Sequence, residues 1–283
     1  MLNKVKIIME LVKFEHTIFA LPFAFAGALI AGHGSIAFTK ILWILLAMVG
    51  ARTAAMALNR VIDEKIDAEN PRTKERALPK KIISKLAVWL LIFVSLAIFF
   101  LAAYNINISC FYLSPIAVLL LTFYSYTKRF TSLSHFYLGM TLAAAPVGGY
   151  MAVVPEFTLL QLTLAGCVMF WVAGFDIIYA CQDIEFDKNN NLFSIPAVRG
   201  MAAALNISRI LHFFTIAGFL FAGFLFAAEY PYYIAIAISA CLLIYEHSLL
   251  KGGSLDKVDI AFFNVNGYVS IIIFAGILIN YFV

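Results

Sequence analysis

Asn59-Arg-Val-Ile-Asp63-Glu-Lys-Ile-Asp67-Ala-Glu-Asn-Pro-Arg72-Thr-Lys-Glu-Arg76-Ala-Leu-Pro79 is the stretch that constrains the interpretation of this chain most strongly. It follows a long apolar segment, where a run of acids and bases indicates that something polar binds. Asn59, Asp63 and Asp67 are spaced by four residues, so on a helix they project from one face. The stretch therefore predicts a polar site at the end of an apolar helix.

A second stretch, Tyr179-Ala-Cys-Gln-Asp183-Ile-Glu-Phe-Asp187, repeats the four-residue spacing of acids 120 positions later. The surrounding sequence is again apolar. A functional hypothesis for this protein has to explain two pairs of carboxylates in a largely apolar chain.

The composition indicates a membrane protein. Of 283 residues, 63% are hydrophobic and 13% are charged, and the mean hydropathy is +0.94, whereas soluble domains carry about 25% charged residues. We expect membrane lipid around the chain, no nucleic-acid partner and no cleaved signal peptide. The four cysteines have no paired spacing, so we expect free thiols rather than a disulfide or zinc framework.

Apolar segments long enough to cross a bilayer need about 20 residues, and nine segments qualify: 16–34, 40–60, 86–104, 108–127, 133–153, 158–181, 205–228, 231–250 and 260–282. The preceding segment, with Lys4, Lys6, Lys13 and Glu15, is expected to form an amphipathic helix at the membrane interface. The fold class is therefore all-α and polytopic. We expect a single domain, 1–283, with two weakly repeated halves, about 1–130 and 131–283.

Basic residues are concentrated in alternate connections. Eight lie in residues 60–85, and the N-terminus and the connections after the fourth, sixth and eighth spans carry most of the others. Because basic loops stay in the cytoplasm, we expect a cytoplasmic N-terminus. Spans two and six then both run towards the cytoplasm, so both acid pairs are expected at the same membrane face and in one pocket.

Four carboxylates that converge at one site would repel one another and could not all stay ionised alone. Divalent cations resolve this repulsion, and Mg²⁺ takes one or two carboxylates and leaves its other positions to water and phosphate oxygens. The nearby bases suit the same polyanion; they are Arg72, Arg76, Lys128, Arg129 and Arg199. The pattern favours a diphosphate site above an apolar cavity that would accept a polyprenyl chain.

With these motifs the sequence resembles the UbiA-type intramembrane aromatic prenyltransferases, along essentially its whole length. The matching pieces are Asn59-x₃-Asp63-x₃-Asp67, the Asn70-Pro71-Arg72-Thr73-x₂-Arg76-x-Leu78-Pro79 that follows, Tyr124-Ser-Tyr-Thr-Lys128-Arg129, and Tyr179-x₃-Asp183-x₃-Asp187. The first motif with its arginine-rich tail is highly specific, whereas the second pair alone would be a weak signal.

The resemblance implies nine helices around a central cavity, with Mg²⁺ bridging a polyprenyl diphosphate to both motifs. It implies one metal at Asn59, Asp63 and Asp67 and another at Asp183 and Asp187. It further implies that Arg72 and Lys128 hold the diphosphate, and we also place Arg76 at the substrate site. We assign Arg129 to the carboxylate of an aromatic acceptor and Tyr179 to the diphosphate or the allylic cation. The acceptor's ring carbon would attack that cation without a covalent enzyme intermediate.

Two positions depart from the family pattern: Arg60 stands where many relatives have Asp, and Gln182 where some have Lys. Arg60 removes a potential metal ligand and leaves contact with the diphosphate or the acceptor open. The segments Glu15–Pro22 and Phe193-Ser194-Ile195-Pro196 resemble a branch from organisms that make menaquinone. In that branch the expected acceptor is 1,4-dihydroxy-6-naphthoate rather than 4-hydroxybenzoate.

Three further polar residues lie inside apolar spans. Asp176 is on the same helical face as Asp183, and an acid this deep in a membrane span is expected to be functional. Its role could be to support a metal or to form a structural hydrogen bond. Asn264 and Asn266 are expected to line the cavity. The histidines appear scattered, with no ligand set among them.

The alternative functions are a cation- or proton-coupled transporter, an enzyme that transfers a phosphoalcohol, and a membrane subunit without catalytic activity. Transporters place ionisable groups near the bilayer midplane, whereas these acids cluster at one face among bases. The Asp-Gly and Ala-Arg signature of the phosphoalcohol transferases is absent from the sequence, and a subunit without activity gives no reason for two matching motifs. The sequence therefore favours the prenyltransferase.

Overall fold

The computed structural model describes residues 2–13, 17, 19–250 and 255–283, and every regular element in these ranges is helical. The helices are α1 (Leu2–Val12), α2 (Leu21–Ala31), α3 (Phe38–Ile62), α4 (Glu64–Glu69), α5 (Lys85–Ile106), α6 (Ile108–Thr127), α7 (Ser134–Val153), α8 (Leu159–Ala180), α9 (Ile184–Asn189), α10 (Ile195–Arg199), α11 (Met201–Leu225), α12 (Tyr230–Leu249) and α13 (Asn266–Asn280). A 3₁₀ turn, Cys181–Asp183, joins α8 to α9, and a π-helical segment, Ile260–Val265, precedes α13.

Eight helical segments in the described part of the chain are long and apolar enough to cross a membrane. They correspond to the second to ninth predicted spans and confirm an all-α integral membrane protein. The first predicted span, 16–34, differs, because α2 has only 11 residues. Pro22 lies in the first turn of α2, where its missing N–H and fixed φ are tolerated. Residues 14–16 and 18, and with them Glu15 and His16, lie outside the described residues.

The chain packs as two compact units, of which the first comprises Met1–Thr17 and Thr39–Tyr126. In its described part, α1, α3 and α5 share a buried core that includes Leu11, Leu58 and Ile92. The buried guanidinium of Arg60 donates through Nε to the carbonyl of Leu11, at 3.2 Å. This bond attaches the end of α1 to the same turn of α3 that carries the first motif.

The second unit comprises Ile18–Phe38 and Thr127–Val283. Here α7 packs against α2 and α8, α8 packs against α11, and α12 packs against α13. The α2–α7 contact requires glycine at position 149, because a Cβ there would collide with the carbonyl oxygen of Ala24. The backbones of the two helices can therefore approach closely, as small residues allow in membrane proteins.

A buried polar network fixes the π-helical segment within the second unit. Trp171 Nε1 donates to Asn266 Oδ1 at 2.7 Å, and Asn266 Nδ2 donates to Glu246 Oε1 at 2.7 Å and to the carbonyl of Ala261 at 3.0 Å. Polar groups in an apolar interior have to be paired, and this amide also satisfies a carbonyl of the π-helical turn. Asn266 is fully buried, so its amide serves helix packing instead of facing a cavity.

Side chains on the outer faces are large and apolar, for example Phe93, which is 63% exposed, and Phe224, which is 76% exposed. Such exposure suits lipid rather than water. The predicted single domain with two repeated halves stays a prediction, as does the interfacial placement of α1.

Candidate active site

The first motif lies where α3 gives way to α4. Asp63 stands between the two helices with φ −95° and ψ 8°. Helical hydrogen bonds nevertheless continue across the break, from Asp63 N–H to Asn59 O at 2.9 Å and from Asp67 N–H to Asp63 O at 2.7 Å. The expectation that the three residues follow a helical path is met, except that the helix is interrupted at its middle acid.

Both acids of the first motif are almost fully buried, Asp63 at 4% and Asp67 at 5% exposure. The side-chain amide of Asn59 donates to Asp63 Oδ2 at 2.9 Å and to Ser125 Oγ at 3.3 Å. The amide therefore holds the carboxylate of Asp63, as its position one turn earlier predicts.

Two arginines balance the charge of Asp67. Nη1 of Arg76 lies 2.7 Å from both carboxylate oxygens, and Nη1 of Arg60 lies 3.9 Å from Oδ2. The hydroxyl of Thr73 donates to the backbone carbonyl of Asp67 at 3.0 Å. Arg76, expected at the diphosphate, thus contacts the second acid of the motif directly.

The loop after α4 is held by an Asn-Pro turn. The backbone N–H of Arg72 donates to Asn70 Oδ1 at 2.9 Å, which is the local hydrogen bond that asparagine makes in turns. Asn70 is buried and Arg72 is exposed. The turn therefore fixes the backbone of Arg72 and leaves its long side chain on the accessible surface, as expected of a ligand-binding base.

The second motif repeats this local structure at the end of α8. Asp183 closes the 3₁₀ turn and precedes α9 with φ −105° and ψ 10°. Asp183 is half-buried and Asp187 is 6% exposed. Ser194 Oγ donates to Asp187 Oδ2 at 2.7 Å, and Leu192 N–H donates to the backbone carbonyl of Asp187 at 2.8 Å.

The predicted bases Lys128 and Arg129 follow α6. The carbonyl of Lys128 accepts from Phe193 N–H at 2.6 Å, and its ammonium interacts electrostatically with Asp187. The loop between α9 and α10 therefore connects Lys128 to the second motif. Arg129 is exposed, and so is Asn264 in the π-helical segment; their predicted contacts with an acceptor stay predictions.

Asp176 forms a short contact with a histidine. Asp176 Oδ2 lies 2.7 Å from His135 Nδ1, and the imidazole is buried. Of the two roles left open for Asp176, the structure shows the hydrogen bond. The histidines are also less scattered than the sequence indicates, because His212 Nδ1 lies 3.0 Å from His247 Nε2.

An aromatic cluster lies beside the second motif, within the second unit. Tyr179 lies one turn before Asp183, and its ring packs on Phe262 with centroids 4.2 Å apart. Phe262 packs edge-on against Phe175, one turn before Tyr179 in α8, and against Phe19. The aromatic rings therefore pack together along the last turns of α8, which lead to the second motif.

Sequence reasoning did not identify Ser125, Thr73, Ser194 or His135 as partners of the predicted residues. A usable signal exists only for Ser194, because Ser-Ile-Pro is a typical helix start with serine as the N-cap; Ser194 does cap α10 by accepting from Ala197 N–H. The contact of Thr73 with Asp67 is local, six residues apart, whereas the contacts of Ser125 and His135 join residues 66 and 41 positions apart and depend on tertiary structure.

The donor atoms of both motifs suit Mg²⁺, which prefers carboxylate and carbonyl oxygens. In the described part of the chain, no group of three or more His, Cys, Asp or Glu side chains is arranged to hold a metal by itself. Each motif offers two carboxylates, and the hydrogen bonds described above, including the two contacts of Asp67 with Arg76, still leave lone pairs on the ionised carboxylates. A pair of acids completed by water and substrate oxygens is how Mg²⁺ is usually bound, so the residues fit the ion.

Known proteins with similar sequences and structures identify the family of this chain. The family model of the UbiA prenyltransferase family matches residues 20–268. A protein of Haemophilus ducreyi named 4-hydroxybenzoate octaprenyltransferase is 31% identical over 254 residues, which cover 89% of this chain and 91% of that protein. The apo structure of a UbiA homologue from Aeropyrum pernix superposes with a TM-score of 0.86 at 33% identity, covering 94% and 98% of the two chains.

The chain belongs to the UbiA prenyltransferase family. This confirms an enzyme of the aromatic prenyltransferase class with the UbiA fold, and it decides against the alternative of a coupled transporter. A UbiA homologue from Archaeoglobus fulgidus, bound to DMAPP and Mg²⁺, shares the fold with a TM-score of 0.73 at 19% identity, covering 98% of this chain and 99% of that one.

Proposed function

We propose that this protein transfers a polyprenyl group from a polyprenyl diphosphate to a hydroxylated aromatic carboxylate in a Mg²⁺-dependent step of respiratory quinone biosynthesis. The observation that supports this most strongly is the repeated structure of the two motifs, each with an acid at a helix break and a second, buried acid four residues later. The name of the Haemophilus ducreyi relative supports an aromatic acceptor, and the ligands of the Archaeoglobus fulgidus homologue support the donor and the ion.

In this proposal Asn59, Asp63 and Asp67 hold one ion, and Asp183 and Asp187 hold another. Bound Mg²⁺ supplies positive charge that stabilises the departing diphosphate. Arg72 and Lys128 bind diphosphate oxygens, and Arg76 shares its guanidinium between Asp67 and the diphosphate. Stabilisation of developing negative charge is usually the largest contribution to such catalysis.

After the diphosphate departs, the main task of the protein is to shield the allylic cation from water. The C–O bond of the donor breaks, the ring carbon ortho to the acceptor's hydroxyl forms the new C–C bond, and the ring loses a proton. Tyr179, packed on Phe262, offers its face to the allylic cation, an interaction worth about 2 kcal/mol when desolvated. The surrounding rings exclude water, which would otherwise capture the cation.

Two aromatic carboxylates are candidates for the acceptor. The relatives' name points to 4-hydroxybenzoate, whereas the segment Phe193–Pro196 points to 1,4-dihydroxy-6-naphthoate and menaquinone. In both cases Arg129 is proposed to bind the acceptor's carboxylate, with Arg60, Asp176 and Asn264 as further contributors to the substrate site. The segment Glu15–Pro22, which supports the same branch, lies partly outside the described residues.

The distribution of lysine and arginine among the connections supports a membrane orientation. We propose that the protein resides in the bacterial cytoplasmic membrane with its N-terminus and both motifs facing the cytoplasm, where soluble acceptor is available. Cysteine labelling of single-cysteine variants at Lys74 and Glu156, which lie in opposite connections, would report the orientation. Labelling of position 74 from the periplasm would contradict it.

The test of the reaction is a membrane assay that offers either acceptor with a polyprenyl diphosphate, with Mg²⁺ and with a chelator. We expect product from one acceptor, and none after chelation. Turnover that survives complete removal of divalent ions would reject the metal-dependent site. Product from neither acceptor would reject the proposed substrates.

A further inference from the structure

His135, whose imidazole is buried against the half-buried Asp176, has no role in the proposed reaction. Asp176 lies in α8, seven residues before Asp183, and His135 is the second residue of α7. Their contact is 2.7 Å long. Polar groups in an apolar interior are costly unless each is paired, and here the carboxylate and the imidazole pair with each other.

The second nitrogen of the imidazole bonds to the start of α10. His135 Nε2 lies 3.3 Å from the backbone nitrogen of Ile195, the first residue of α10. A backbone N–H can only donate, so Nε2 accepts and carries no proton. The proton is then on Nδ1 and is donated to Asp176. Asp176 thus selects the tautomer of His135 that can accept from Ile195.

The residue before Ile195 contacts the second motif. Ser194 caps α10 by accepting from Ala197 N–H at 3.3 Å, and its hydroxyl donates to Asp187 Oδ2 at 2.7 Å. A continuous path of hydrogen bonds and one peptide unit therefore runs from Asp176 through His135, Ile195 and Ser194 to Asp187. Every contact on this path lies within the second unit.

We propose that His135 is a positioning residue for Asp187: it holds the start of α10 so that Ser194 orients the carboxylate of Asp187 for cation binding. This inference rests on the proposed function, in which Asp187 is a metal ligand. The partners that orient a ligand commonly affect metal affinity or activity 10- to 100-fold when they are removed.

Two substitutions with the same amide chemistry separate this role from a general contribution to stability. In His135→Asn the amide ends near the position of Nδ1, so it donates to Asp176 but does not reach Ile195. In His135→Gln the amide ends near the position of Nε2 and accepts from Ile195 N–H. A control for stability is Asn280→Ala, which removes an acceptor, at 2.6 Å, from the N–H of Glu229 at the start of another helix of the same unit.

The first measurement is hydrogen–deuterium exchange of residues 188–200 in full-length protein in detergent, without metal or substrate. The second is the Mg²⁺ concentration that gives half of the maximal thermal stabilisation, and the third is the Mg²⁺ concentration for half-maximal turnover. We expect His135→Asn to accelerate exchange in 188–200 and to raise both Mg²⁺ concentrations about 10-fold or more. His135→Gln should restore wild-type behaviour in all three.

The inference is overturned if His135→Asn lowers the melting temperature as Asn280→Ala does but leaves exchange in 188–200 and the Mg²⁺ dependence at the wild-type level. It is also overturned if His135→Gln behaves like His135→Asn. Failure of the proposed function looks different: wild-type protein would give no prenylated product, while the exchange measurement, which needs neither substrate nor metal, would still report the link from His135 to Asp187.

Discussion

Asp63 and Asp183 occupy equivalent places in two segments of the chain that are far apart in sequence. Each residue stands between the end of a long helix and a six-residue helix, with backbone angles that agree within about 10° (−95° and 8° against −105° and 10°). Asp67 and Asp187 are each the fourth residue of the short helix, and both are buried. The sequence spacing is thus repeated as a backbone structure.

The two motifs differ in what balances their charge. Asp67 contacts the guanidinium of Arg76 and lies near that of Arg60, so arginines balance its charge. Asp187 accepts a hydrogen bond from the neutral hydroxyl of Ser194 and has Lys128 as a cationic neighbour. The two motifs therefore share their backbone structure, whereas the side chains that contact Asp67 and Asp187 are different in kind.

The largest expected effect tests whether the equivalence is functional. Asp63→Ala and Asp183→Ala should each reduce product formation by at least about 100-fold, because each removes a charge that stabilises the departing diphosphate through its ion. The measurement is the initial rate of prenyl transfer in membranes that contain equal amounts of protein. A variant that keeps more than a tenth of the rate would show that its motif does not serve the reaction.

The double variant sharpens the same comparison. If both motifs act on one diphosphate, the combined loss should be far smaller than the product of the single losses, as is usual for residues that act as a unit. Losses that multiply fully would instead indicate two independent contributions.

An intermediate effect tests the difference in side-chain partners. Ser194 donates to the carboxylate of Asp187, whereas Thr73 donates to the backbone carbonyl of Asp67. We expect Ser194→Ala to raise the Mg²⁺ concentration for half-maximal activity about 10-fold. Thr73→Ala should leave that concentration unchanged and should reduce stability by about 1 kcal/mol, seen as a lower melting temperature in detergent.

The reverse pattern, with the Mg²⁺ dependence changed only in Thr73→Ala, would mean that loop geometry rather than carboxylate orientation governs metal binding. Equal shifts in both variants would remove the distinction between the motifs.

Much of this architecture can be predicted from sequence because the bilayer imposes it. A spanning helix needs about 20 apolar residues with all backbone groups bonded internally, so the eight membrane-length helices of the described residues correspond to eight of the nine spans predicted from sequence. A spacing of four residues likewise predicts that Asn59, Asp63 and Asp67 follow one another along a helical path.

The breaks and the long-range pairs could not be predicted in the same way. Aspartate can bond to nearby backbone and so favours helix ends, but this preference does not say that Asp63 and Asp183 interrupt their helices. The pair of His135 and Asp176 joins residues 41 positions apart, which no periodicity links. Arg60 departs from the family pattern, and its bond to Leu11 depends on the packing of α1.

The smallest expected effect is that of Tyr179→Phe. It concerns the position one turn before Asp63 and Asp183, where the two motifs differ in chemistry. Asn59 donates to Asp63, whereas Tyr179 packs its ring on Phe262. Tyr179→Phe keeps that ring, so we expect the turnover number to fall by less than about 5-fold, the equivalent of about 1 kcal/mol for one hydroxyl.

Tyr179→Leu is the matched control, because it keeps an apolar side chain and loses the aromatic face. It should lower turnover by about 30-fold, corresponding to the 2 kcal/mol of a desolvated cation–π contact. Equal losses in the two variants would assign the effect to the hydroxyl. Tyr179 would then be a polar partner of the second motif, as Asn59 is of the first, and the two motifs would be more alike in chemistry than their side chains indicate.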